Sequence, residues 1–195
     1  MGLIMRIQSR RFRFASDRRG IAAVEFALIA PALIFLVMGV LEMSFRFRAG
    51  DGATRYVHQV ADLIGRENSL VEDELDIIYQ AAPNMMMPLD TTDNLDLDIT
   101  SIGFVGTEKT PTIFWRRVAG TEVDFSLSDA ADMGLEGETV VRVGVRYRYE
   151  SVLSTLFGGP VVWIEREAFT RPRVERVITL DGEQTDGGAT KPFGT

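Results

Sequence analysis

One carboxylate stands where none is expected. Glu25 lies within residues 21–41, a stretch of 21 residues with no other charge, and it falls five places after Gly20. A lone carboxylate near the centre of a membrane-spanning helix costs about 2.5–3.5 kcal/mol on insertion scales, and less when it sits one turn from the start. Two chemistries account for it. In one, the glutamate lies at the membrane interface and reaches headgroups. In the other, it belongs to a processing and assembly signal. Hydrolysis of the bond after Gly20 would leave Ile21 with a free amine and make Glu25 the fifth residue. A carboxylate there can pair with the amine of a neighbouring copy when helices pack side by side. In lipid, that pairing removes the isolated-charge penalty from both groups.

The other residues capable of chemistry form no constellation. His58 is the only histidine, so neither a histidine metal cluster nor a Ser-His-Asp set can be assembled around it with any confirming spacing. There are no cysteines, which removes thiol nucleophiles and thiolate metal sites. Gly50, Asp51 and Gly52 are too short a run for a phosphate-cradling loop. Asp90, Asp93, Asp96 and Asp98 lack the glycine and closing glutamate of an EF-hand loop. Alternation puts Asp96 and Asp98 on the solvent face of a strand. Arg142, Arg146 and Arg148 share one strand face and find mates in Glu165 and Glu167 on an antiparallel neighbour, each pair contributing roughly 0.2–1 kcal/mol. Met85, Met86 and Met87 between Pro83 and Pro88 form either an adaptable contact patch or a plug for the core. The sequence therefore predicts no catalytic residue, no metal, no cofactor and no enzymatic activity.

The elements that position these residues follow from periodicity. Residues 21–41 span roughly 30 Å as a helix, the thickness of a hydrocarbon core. Pro31 lies inside that helix, which membrane helices tolerate. An ordinary secretory h-region of about 7–15 residues is shorter. Phe45, Arg46, Phe47 and Arg48 suit an interfacial layer, and residues 49–52 mark a possible break. Tyr56, Val60, Leu63 and Ile64 recur at helical spacing. Ser69 and Glu72 read as a capping box for a second helix with the stripe Val71, Leu75, Ile78 and Ala82, stopped by Pro83. Strands follow at residues 95–105, 112–118, 139–149 and 161–170, with a short helix at 152–157. In residues 139–149, Val141, Val143, Val145, Tyr147 and Tyr149 line the buried face. From Asp181 the chain is Gly-rich and polar, which predicts a flexible tail over residues 181–195. The expected fold class is α+β: a long N-terminal transmembrane and amphipathic helix, then an antiparallel sheet of about four strands.

Charge is segregated along the 195 residues. Residues 1–20 carry +5, whereas residues 42–195 hold 15 basic and 26 acidic side chains, a net −11. The positive-inside rule keeps the basic leader cytoplasmic and sends residues 42–180 across the membrane in a single pass. An acidic domain also argues against nucleic acid, whose phosphates demand a basic surface.

The coincidence of Gly20, Glu25 at the fifth place beyond it, Phe26 next and an apolar run behind resembles the N-terminus of type IV prepilins. More narrowly, Arg19, Gly20, Ile21, Ala22, Ala23, Val24, Glu25 and Phe26, continued through Ala30 and Pro31 to Leu41 and Glu42, resemble the TadE/TadG-like family of the tight-adherence (Flp) type IV pilus system. Later features are similar too: a helix with Ala61, Asp62, Leu63 and Ile64, a capped helix before Pro88, strands, and Phe169 to Arg173 near the end. The resemblance implies a pilin-like fold and cleavage between Gly20 and Ile21 by a prepilin peptidase. It also implies docking through Glu25 and Phe26, and a pseudopilin-like role in pilus assembly, hence in adhesion and secretion. The implied partners are the prepilin peptidase, other pilins or pseudopilins and the inner-membrane assembly proteins. The implied location is the inner membrane, with a periplasmic C-terminal domain and, after processing, a place in the filament. The alternative is an uncleaved, single-pass periplasmic scaffold or binding protein of the secretion apparatus.

Overall fold

The computed structural model describes residues 20–193, so the leader up to Arg19 lies outside the described residues. The chain divides into two compact units, Met1–Met43 and Ser44–Thr195. Helix α1, Ile21–Ile64, runs 44 residues and contains Pro31. Its first part is built almost wholly from Ala, Leu, Ile, Val and Phe, and its large side chains are exposed.

In the second unit, α1 does not break at residues 49–52. Both glycines there are buried, and each lets a neighbour approach closely. A Cβ on Gly50 would lie 3.3 Å from the Arg166 guanidinium, and one on Gly52 would lie 2.8 Å from Leu89 Cδ1. The glycines serve packing, and a helical glycine costs only about 1 kcal/mol against alanine, which the packing outweighs. The buried stripe is Ala53, Tyr56, Val57, Val60, Ala61 and Ile64, whereas Leu63 is exposed. The Tyr56 hydroxyl donates to Ile78 O at 3.2 Å, and burial raises its pKa well above the ordinary value.

Two short elements follow. Strand β1 is Ser69–Leu70, and helix α2 is Glu72–Gln80. The serine expected as a cap is thus in a strand. The N-cap is Val71, whose N–H donates to the Glu74 carboxylate at 3.0 Å. Valine has no side-chain acceptor to complete a box, so only half of the reciprocal arrangement exists. Leu75 and Ala82 are buried as expected, but Val71 is exposed. Pro83 does not simply end the helix; it sits in the first turn of a short α3, Ala82–Met85, where its missing N–H has no cost. Met86 is buried in the core while Met87 is exposed.

The sheet is built from β2 (Leu95–Val105), β3 (Thr110–Ala119), β4 (Thr139–Tyr149) and β5 (Val162–Thr170). Helix α4, Val152–Phe157, is capped by Ser151. These four strands pair antiparallel in the order β5-β4-β2-β3. A fifth, β7 (Thr190–Pro192), adds to β3 in parallel, so the sheet is mixed and five-stranded instead of four-stranded and antiparallel. The α+β class stands. Alternation explains the core: Leu95, Leu97, Ile99, Val141, Val143 and Val145 share one buried cluster with Tyr56, Val57 and Val60 of α1. Each such side chain contributes about 1.5–3 kcal/mol by leaving water.

The tail also departs from expectation. Strand β6, Thr179–Leu180, pairs parallel with β1. Beyond it, Thr185 Oγ1 donates to Phe114 O, and Asp186 takes a 2.8 Å hydrogen bond from Arg117. Composition predicted disorder because few apolar groups are available there. What holds the segment is the open edge of β3 and the buried guanidinium of Arg117, which also bonds Glu72 at 2.6 Å. Burial pushes the Asp186 carboxyl up, but hydrogen bonds from Arg117 and Lys191 outweigh it and hold the carboxyl below its ordinary 3.8. A depressed carboxyl stabilises above its unfolded value and loses that contribution as pH falls through the folded one. Asp186→Asn should therefore cost about 1–3 kcal/mol at pH 7. In thermal melts at a series of pH values, the gap from the parent should close below pH 3.8.

Candidate functional site

Gly20, Ile21, Glu25 and Phe26 fall within the first turn and a half of α1 and its N-terminal edge. Ile21 and Glu25 are four apart, so they share a helix face. All four are exposed; Phe26 keeps 67% of its surface and Ile21 keeps 51%. The apolar side chains behind them behave alike, with Leu28, Ile34, Phe35 and Leu36 each more than half exposed. The best 18-residue window of the helix has mean hydropathy 2.5 and none of it is buried. A stripe this apolar on every side is not a surface for water: it is long enough to cross a bilayer and suited to lipid or to other helices. Among the described residues nothing lies within 4 Å of a Cβ placed on Gly20.

The second unit holds a charged centre that alternation alone did not reveal. Asp98 was expected on a solvent face, yet it is fully buried, as is Thr100 beside it. Segment 120–130, including a 3-10 turn at Leu127–Ala130, covers this face of the sheet. Arg116 grips Asp98 with two bonds, Nη2 to Oδ2 at 2.5 Å and Nε to Oδ1 at 3.1 Å. Thr100 Oγ1 and the Val123 N–H donate to the same carboxylate at 3.0 and 3.1 Å. Arg142 Nη1 lies 3.7 Å from it. Arg142 Nε donates to Glu167 at 2.8 Å, and Arg116 Nη1 donates to Glu122 at 3.0 Å. The Phe125 ring caps both guanidiniums, 4.2 Å from Arg142 and 5.5 Å from Arg116. Gly144 makes room: a Cβ there would come within 2.9 Å of the Arg142 guanidinium. The hydrogen bond to Asp98 raises the Arg116 pKa against the opposing effect of burial.

Chemically this centre is a fastener. Four hydrogen bonds fill the acceptor capacity of the Asp98 carboxylate, leaving no lone pair for a metal or a proton transfer. Two of the three arginines of the stripe have the expected mates, Arg142 on Glu167 and Arg146 3.6 Å from Glu165, whereas Arg148 lies 3.5 Å from Glu150, just past the end of its own strand. Arg146 also stacks 4.1 Å from the centre of the half-exposed Trp163 ring, while Trp115 is buried and donates to Ile178 O. Asp90 accepts from Thr92 N–H and Asp96 from Thr121 N–H, so both serve as turn and loop anchors. Among the described residues, no group of three or more His, Cys, Asp or Glu is placed to hold a metal. His58 is exposed on α1. The signal that could have marked Asp98 was the segment rich in small and apolar residues at 123–134, including Val123, Phe125, Leu127 and Ala130, which needs a sheet face to cover.

Comparison with known proteins adds one match. The model of a family described as TadE-like protein matches residues 20–62. Neither curated proteins nor solved structures gave a match. The matched segment opens at Gly20, contains Glu25, Phe26 and the whole apolar run, and ends two residues before α1 does. The family resemblance read from those residues is thereby borne out over residues 20–62, the TadE-like segment of this chain.

Proposed function

We propose that this chain is a pseudopilin-like minor component in the assembly of a tight-adherence pilus. Residues 21–41 anchor the precursor in the inner membrane with the leader in the cytoplasm and the α+β unit in the periplasm. A prepilin peptidase cuts between Gly20 and Ile21. Glu25 then meets the new amine of Ile21 on an adjacent helix, so that withdrawal from lipid and docking occur together, with Phe26 packing beside them. The partners are the peptidase, other pilins or pseudopilins and the inner-membrane assembly proteins.

The observation that carries this reading is the family match beginning at Gly20 on a helix whose first part, over residues 21–41, keeps its large apolar side chains exposed. The segregation of charge between leader and domain supports the orientation. We further propose that the role is not enzymatic, since the buried ionic groups of the second unit are engaged in ion pairs. Intact mass tests the reading, because removal of residues 1–20 takes away about a tenth of the chain. Loss of that mass in cells with the peptidase supports it. A chain kept whole there would instead make the protein a fixed periplasmic scaffold.

A further inference from the structure

Four consecutive residues of α1, Phe45, Arg46, Phe47 and Arg48, follow the apolar run and precede Ala49, which is buried. All four are exposed, Phe47 at 68% and Phe45 at 41%. At 3.6 residues per turn, four successive side chains leave the helix in four different directions. Phenylalanine and arginine therefore alternate around its whole circumference. Neither arginine joins an ion pair among the described residues.

This ring is hard to reconcile with water. Exposed phenylalanines seek an apolar layer, whereas guanidiniums in a region of net charge −11 would be expected to take up carboxylates. The two arginines also stand on the side of the apolar run where the charge bias disfavours them. The layer that satisfies both residue types is the headgroup region of a bilayer. Rings settle at the acyl boundary, and guanidiniums bind phosphate oxygens in pairs. Depth agrees: Phe45 lies roughly 36 Å of helix beyond Ile21, just past a hydrocarbon core of about 30 Å.

We propose that residues 45–48 form a headgroup-binding collar, in which Arg46 and Arg48 hold the phosphates of anionic phospholipids in the leaflet away from the leader. The collar offsets the repulsion between an acidic domain and an anionic surface, and it fixes the depth of the helix. This inference rests on the membrane-spanning reading given above.

The test uses the full chain in non-ionic detergent. Native mass spectrometry measures retention of phosphatidylglycerol against phosphatidylcholine with the same acyl chains, and of inorganic phosphate. The parent should favour phosphatidylglycerol by on the order of tenfold. Arg46→Gln with Arg48→Gln should bring the ratio near one without changing the thermal melt, since both side chains are exposed. The paired lysine variant should fall between. Equal retention of the two lipids by the parent, or a preference that survives the glutamine pair, would overturn the collar, as would equal displacement by inorganic phosphate, which would indicate a free-anion site. A chain recovered from the soluble fraction of cells would instead defeat the membrane-spanning reading itself. A membrane-bound chain with no lipid preference would defeat the collar alone.

Discussion

Asp98→Ala should cost the second unit about 3–5 kcal/mol, the range for removing one partner of a buried ion pair. For a chain of this size each kcal/mol shifts the melting temperature by about 2–4 °C, so a fall on the order of 10 °C is expected. The loss comes from what remains. Arg116 and Arg142 are both buried, Arg142 fully, and without Asp98 the two guanidiniums beneath Phe125 lose the carboxylate that lies between them. Segment 120–130 also loses the Val123 N–H bond that ties it to the sheet. Asp98→Asn should cost nearly as much, because it keeps the shape but not the charge. Replacing Asp98 and Arg116 together by apolar residues of similar size should cost less than the two single changes added. Thermal melts of the purified full chain check this, and a loss under about 1 kcal/mol for Asp98→Ala would show that the centre does not fasten the segment.

The second large effect concerns the other unit. Glu25→Ala should leave cleavage after Gly20 largely intact and abolish filament assembly. The peptide bond to be cut lies at Gly20, five residues away, whereas the carboxylate is the only group in residues 21–41 able to neutralise a neighbouring amine in lipid. Removing it leaves that amine charged and alone, at a cost of several kcal/mol per buried ion, enough to shift an assembly equilibrium by orders of magnitude. Glu25→Gln separates charge from hydrogen bonding and should also fail. Electron microscopy of sheared filaments, with the chain's mass measured in parallel, reads both effects. Normal filaments from Glu25→Ala would remove the pairing argument.

Elements governed by a single strong period were legible in the sequence. Strand β4 and helix α4 keep the bounds read for them, 139–149 and 152–157: alternation leaves β4 little freedom, and in the structure α4 starts behind the capping Ser151 and stops at Gly158. The apolar helix was legible for the same reason. What was not legible depended on partners far along the chain. Residues 49–52 read as a break because glycine is a poor helix former, and only the approach of Arg166 and Leu89 explains why it is used. Ser69 read as a cap because its strand partner, Thr179, lies more than a hundred residues away. The tail read as disordered because edge pairing and Arg117 supply what its own side chains lack. Asp98 read as solvated because alternation tells two faces apart but not whether a later segment covers the second. The candidate processing and docking residues needed no such partner to be noticed: Glu25 stands out as the lone charge of residues 21–41, and the roles of Gly20, Ile21 and Phe26 are what the resemblance implies.

The measurement that bears most directly on the account is the N-terminal residue of the chain taken from its native membrane, determined with and without the prepilin peptidase. The account predicts Ile21 as the first residue when the peptidase is present, and the leader retained when it is absent. A chain that keeps its leader in both would contradict it: the amine that Glu25 is proposed to meet would never form, and the helix would remain a fixed anchor for the second unit.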